Sequence, residues 1–276
     1  MQKFVWFFLL LFAFFEVKGQ FFKEGEAFDK SLIKLNTIEK LNAYIDSCGL
    51  AGNISAPSKD DAFLVNQVIE KKFYHGFSHY SIQDNWLACL AGKVIWDHLS
   101  AIVIPNDLVK HPMAACSQQS IVMMEVLRKR GYQVRKLGLS GHFVLETFYD
   151  KTWHVFDPDK EPIYSGFLHD SLNIYLENGY LTKAYSKSLT PVEVKRIFSK
   201  QQIGAINEFP AENARLFHVV TGYVTRSPVM HFMLLVLIFY FVQILWRKGY
   251  KLFHSYQGIK DNNLIEEFNT KELIVK

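Results

Sequence analysis

The sequence predicts an α+β protein, with a helical lobe followed by an antiparallel sheet, plus one C-terminal transmembrane helix. Three observations carry this expectation. Through residue 130 the apolar residues recur at three- and four-residue spacing, the period of helices that bury one face. Beyond it, Phe143–Phe148 and Trp153–Phe156 are rich in aromatic and β-branched residues, and Asp150-Lys151 between them supplies turn chemistry, which reads as a β-hairpin. Finally, Val229–Trp246 is apolar throughout with no formal charge, close to the ~20 residues that cross a hydrocarbon core.

In chain order, residues 1–19 have the layout of a signal peptide: Lys3, an apolar run from Phe4 to Phe15, then Val17-Lys18-Gly19 offering small side chains for cleavage. The rival is an uncleaved anchor. Ser31–Asp46 places Leu32, Ile33, Leu35, Ile38, Leu41, Tyr44 and Ile45 on one helical face, with Cys48-Gly49 as its end. The turn-rich loop after it includes Asn53-Ile54-Ser55, a glycosylation acceptor pattern meaningful only in a eukaryotic secretory pathway. Asp61–Phe73 and Asp84–Leu99 read as two more helices, and Val103–Asp107 as a short strand or loop. Ser117–Arg130, with Ile121, Met124, Val126 and Leu127, basic residues at its end and Gly131 as C-cap, is a helix that puts Cys116 at its start. Thr190-Pro191-Val192-Glu193 has a capping residue, a proline and a glutamate in the order that opens a helix, here reaching about Gln202. Phe217–Thr225 alternates as a late strand.

These elements make residues 20–226 one domain, and 276 residues at 49% hydrophobic suffice for it and its extras. Residues 228–246 form the expected span, and Arg247, Lys248 and Lys251 follow it at once. The positive-inside bias then places the tail, 247–276, in the cytoplasm and the domain outside, the orientation a leading signal peptide also demands. His231 and Gln243 lie near the ends of the span and receive no role. A net charge of +4 is mild, and without a long basic run interleaved with aromatics nucleic acid is excluded as a partner.

The chemistry-bearing residues are Cys116, His142 and Asp157, a thiol, an imidazole and a carboxylate, each on a different element. His142 opens the first hairpin strand directly after Gly141, and Asp157 closes the second directly before Pro158, so the hairpin brings both to neighbouring strand ends. A thiol at a helix N-terminus beside a protonated histidine becomes a thiolate nucleophile. A carboxylate on the far ring nitrogen fixes the tautomer and orientation. His75, His79 and His98 invite a metal, but their spacing fits no compact ligand pattern, so no metal or cofactor is assigned.

A cysteine at a helix start, Gly141-His142 opening a strand, and Trp153 followed four residues later by Asp157-Pro158 resemble the transglutaminase-like superfamily of the papain-like cysteine enzyme fold, in its bacterial membrane-anchored type. The resemblance covers roughly 50 residues. Ala114 and Ala115 depart from it, standing where many members have a Gly-containing turn. The resemblance implies Cys116 as nucleophile, His142 as general base and acid, Asp157 as orienter, and hydrolysis or acyl transfer through a thioester. It implies a peptide or protein substrate, with cell-wall peptide the default. It also implies an oxyanion-hole side chain upstream of the cysteine, for which Asn85, Trp86, Asn106 and His111 are candidates. Two other readings stay open: a non-catalytic binding or assembly module on the same fold, and an arylamine-acetyltransferase-like or papain-like peptidase enzyme. With three cysteines and Cys116 kept reduced, the disulfide compatible with activity joins Cys48 to Cys89; otherwise both are buried thiols.

Overall fold

The protein is described by a computed structural model over residues 25–246, apart from 231, 234 and 235. The expected signal peptide and cytoplasmic tail lie outside the described residues. The described residues divide after Val219 into two compact units, the first of which holds the core and the sheet.

The helical lobe starts with a short 3-10 turn, Lys30–Lys34, and helix α1, Ile38–Ala51. One continuous helix from Ser31 was expected. Thr37 breaks it, because its backbone is extended and its hydroxyl accepts from the Lys40 N–H, which starts a new helix there. At the other end α1 runs through Cys48-Gly49 to Ala51 before Gly52 caps it. Helix α2, Lys59–Lys72, is capped by Ser58, with Asp60 and Asp61 in its first turn and Lys71 and Lys72 in its last, the charge order the helix dipole favours. Strand β1, Tyr74–His75, follows. Helix α3, Ile82–Val94, carries a Ser81–Asp84 capping box, and extended Trp96 separates it from a 3-10 turn at Asp97–Leu99 that had been expected to continue it. Helix α4, Pro105–Leu108, is a single turn begun by proline where a strand or loop was expected. Strand β2, Met113–Ala114, pairs in parallel with β1 and leads into α5, Cys116–Lys129.

The sheet has β3, Gln133–Leu139; β4, His142–Tyr149; β5, Thr152–Phe156; β6, Phe167–Leu168; and β7, Gln201–Ile203. It is antiparallel throughout, in the order β6-β5-β4-β3-β7. The expected hairpin is β4–β5. Asp150 and Lys151 both take positive φ, the condition for the primed turn whose twist matches two antiparallel strands. Helices α6, Leu172–Glu177, and α7, Tyr180–Ala184, precede α8, Pro191–Phe198, which stops short of Gln202 because Gln201 and Gln202 pair with β3 instead. The last contradiction is Phe217–Thr225, a helix and not a strand: it belongs to α9, Glu212–Arg226.

One face of the sheet buries Val134, Leu145, Tyr149 and Phe156 against α1, α2 and α5. The other buries Leu137, Val144 and Val155 against Tyr185, Val194 and Ile197 of the later helices. This is the strand alternation in spatial form. Helix α5 is the central element: Val122, Met123, Val126 and Leu127 have no exposed surface, and truncating Leu127 to alanine costs about 2–5 kcal/mol. That rigidity fixes where its first residue, Cys116, points. Residues 228–230, 232–233 and 236–246 are helical, but among the described residues no helix is long and apolar enough to cross a membrane.

Candidate active site

Helix α5 begins with Cys116. Its N-cap, Ala115, is extended with negative φ, so the alanines that depart from the family pattern need no glycine-only conformation. Alanine also brings no capping oxygen, so the first-turn N–H groups around Cys116 lack the usual side-chain acceptor and present their positive ends near the thiol. Gln118, buried in that turn, reaches back to accept from the Ala115 and Ser78 N–H groups, which pins the approach to the helix. The Ser120 hydroxyl donates to the Phe143 carbonyl at 3.2 Å, holding the same turn against the start of β4.

His142 opens β4 after Gly141, whose φ of +73° turns the chain out of β3. Its Nε2 lies 2.7 Å from Asp157 Oδ2, and both side chains are almost fully buried. The Cys116 sulfur lies within 4.8 Å of a His142 ring nitrogen, and since Asp157 occupies Nε2, Nδ1 is the nitrogen left to face the thiol. Burial alone would lower the His142 pKa; the Asp157 carboxylate and the Cys116 sulfur outweigh it and carry the ring up to about 10. Asp157 is held in turn by the Lys160 N–H, and the phenol of Tyr185 faces it. Burial first, and that carboxylate second, push the tyrosine well above its ordinary value. The three residues singled out in the sequence therefore come together, in the order thiol, imidazole, carboxylate.

A second group that the sequence did not reveal stands beside them. A Cys116 sulfur, a His142 nitrogen and an Asp159 oxygen lie within 4.8 Å of one another. Asp159 pairs with His75 Nδ1 and with Lys160 Nζ, and Gln119 Nε2 approaches the same carboxylate at 3.4 Å. Burial pushes Asp159 up, but His75 and Lys160 outweigh it and hold the carboxyl below its usual range. The parallel pairing of β1 with β2 sets His75 opposite Ala114, two residues before the cysteine, which is how a distant histidine reaches the site.

The upstream histidines and asparagines make contacts of their own. His79 meets the Ser100 hydroxyl at 2.9 Å and His98 packs edge-on to Trp96, so the three upstream histidines do not converge. Asn106 accepts from the Ile38 N–H and Asn85 from the Ala88 N–H, so the backbone sets where each amide points. All three cysteines are free, and Cys48 and Cys89 are not bridged. A groove of about 610 Å³ adjoins His142, lined by Lys136, Leu139, Phe143, Lys200 and Gln202 among others.

Comparison with known proteins finds no match. Neither a family model, nor a characterised protein, nor a solved structure resembles this chain above chance. The arrangement itself can polarise a thiol, hold an imidazole in one tautomer and offer backbone N–H groups to a developing oxyanion.

Proposed function

We propose that this protein is a membrane-anchored, exoplasmic cysteine enzyme of transglutaminase-like type, acting on an amide or ester carbonyl of a peptide or protein. The observation that carries it is the convergence of Cys116, at the start of a buried helix, with a His142 ring that Asp157 holds at 2.7 Å. Cys116 adds as thiolate to the carbonyl. As the tetrahedral adduct collapses, His142 gives its proton to the leaving amine or alcohol, and a thioester on Cys116 remains. Water or an amine then attacks the thioester while His142 takes up the proton, and the thiolate is released. Negative charge on the carbonyl oxygen falls near the Cys116 N–H at the helix start. The groove beside His142 has the size to hold an extended side chain of a peptide donor.

The membrane part of the proposal draws on residues 229–246. Phe232, Leu237, Phe239, Phe241 and Trp246 are all exposed, an apolar helical surface that water does not favour. A reporter fused after Lys276 is expected in the cytoplasm, and a cysteine label placed at Ser58 is expected to react from outside intact cells. Protection of Ser58 until lysis would reverse the orientation.

The enzymatic proposal is tested by alkylating Cys116 with iodoacetamide across pH 5 to 8, followed by acyl-donor profiling. A thiolate held by imidazolium reacts fast even at pH 5. A rate that falls with pH as a free thiol's does would remove the enzyme and leave a non-catalytic module.

A further inference from the structure

We propose that Cys116, His142 and Asp159 form a zinc site that takes the thiol out of reaction until the metal is removed. The consequence for reactivity rests on the proposed thiol chemistry, whereas the binding is read independently of any turnover. The three donors are a sulfur, an imidazole nitrogen and a carboxylate oxygen, already within 4.8 Å of one another. Zinc at ordinary Zn–S and Zn–N lengths holds such donors about 3.5 Å apart, so the site must close by roughly an ångström. Cys116 is only partly buried, which gives the cation its way in.

The surroundings are those of a ligand set with its outer partners in place. Asp157 fixes His142 through Nε2 and leaves Nδ1 for the metal, the carboxylate–histidine–metal arrangement. Asp159 has a fully buried side chain held on one oxygen by His75. Its other oxygen, Oδ2, lies 3.0 Å from Lys160 Nζ, yet makes no hydrogen bond, and so keeps acceptor capacity in a place water does not reach. The formal charges also suit a divalent cation. Thiolate, Asp157 and Asp159 bring three negative charges, Lys160 returns one positive, and the remainder matches the ion. Calcium and magnesium need oxygen-rich cages, which one carboxylate among sulfur and nitrogen does not supply. Three protein ligands leave a fourth position for water. On binding, the single proton shared between the sulfur and Nδ1 leaves to solvent, and the sulfur lone pair that would attack a carbonyl is committed to the metal.

In the sequence the residues that invite a metal are His75, His79 and His98. Of those, only His75 reaches the site, and it does so behind Asp159 and not as a convergent ligand.

The test uses full-length protein freed of metal with a chelator. Zinc is titrated in competition with a chromophoric chelator, cobalt(II) is substituted for spectroscopy, and iodoacetamide labelling of Cys116 is timed with and without zinc. We expect one zinc per chain, a sulfur-to-cobalt charge-transfer band, and protection of Cys116 that the chelator reverses. Cys116→Ala removes the band. Asp159→Asn weakens zinc binding at least tenfold and shrinks the ratio of labelling rates with and without zinc, a ratio that cancels any change in intrinsic reactivity. Unchanged zinc affinity in Asp159→Asn, or cobalt binding without a thiolate band in the wild type, overturns the site. If Asp159→Asn does not fold, the wild-type cobalt spectrum against that of Cys116→Ala still decides. Zinc binding by a protein whose metal-free form shows no acyl transfer removes the proposed enzyme and leaves the metal site standing.

Discussion

Two imidazole–carboxylate couples flank one thiol, and they differ in burial. The His142 and Asp157 side chains are 4% and 1% exposed, whereas His75 is 41% exposed over an Asp159 that is wholly buried. In the first couple both partners are shielded from solvent, so ring position and tautomer are dictated by the protein. In the second, solvent competes for the imidazole and Lys160 already neutralises the acid. Similar pairs in sequence terms therefore do different work: the first orients a ring against the sulfur, and the second secures a carboxylate. Deleting one partner at a time breaks or sharpens this contrast.

The largest effect is expected for His142→Ala. It removes the group that holds and moves the proton, and Cys116-dependent acylation should fall by ~10²–10⁴-fold. Single-turnover thioester formation measures it, and wild-type rates in the variant would end the triad proposal. Asp157→Ala should cost less, by about tenfold relative to His142→Ala, because solvent entering the vacated space partly replaces the orienting bond. Equal losses would mean that Asp157 does more than orient.

A third effect belongs to a buried charge with no such couple. Lys72 ends α2 with no exposed surface, its Nζ has no hydrogen-bond partner, and it sits 5.3 Å from the Phe73 ring centre. Burial draws its pKa down to about 8. Below pH 8 both folded and unfolded chains carry the charge and the fold bears the whole cost of burying it. From pH 8 to 10.5 the folded amine has lost its proton while the unfolded one has not, and the cost fades. Lys72→Met should thus raise stability by about 3 kcal/mol at pH 7 and by nothing above pH 10.5, as read by urea melts at the two pH values. An equal gain at both would assign it to packing and not to charge.

How far the sequence exposed all this follows from how local each signal is. The β4–β5 hairpin was legible because Gly141, Asp150 and Lys151 mark its turns within a few residues of its strands. The Cys116 helix was legible because its period is local. Strand β3 was not: Arg135 and Lys136 interrupt its alternation, and only the structure shows Arg135 paired to buried Glu146 at 2.6 Å and stacked on Trp153. Strand β7 is Gln-Gln-Ile, polar by sequence and a strand only through its pairing with β3. In the stretch expected as a strand, Val219, Val220 and Val224 gave a β-like composition, but it belongs to a fifteen-residue helix in which backbone bonds close without a partner strand. The meeting of His142 with Asp157 was readable because hairpin geometry fixes where both lie. Asp159 and His75 were not, since their meeting depends on the parallel β1–β2 pairing between segments far apart in the chain.

The smallest expected effect is also the sharpest test of the opening contrast. His75→Ala removes one partner of Asp159 and leaves the others, Lys160 Nζ at 3.0 Å and Gln119 Nε2 at 3.4 Å. Because the imidazole is well exposed, its pairing contributes less than about 1 kcal/mol, and water takes its place at the carboxylate. Asp159 should therefore stay ionised, and its field at Cys116 should change little. The expectation is a Cys116 alkylation rate within about threefold of wild type at pH 6, alongside a urea midpoint shifted by less than the Lys72→Met gain. The rate ratio between His75→Ala and His142→Ala is the quantity to measure on one preparation. A ratio near one would make the exposed couple as indispensable as the buried one, and burial would no longer explain which imidazole governs the thiol.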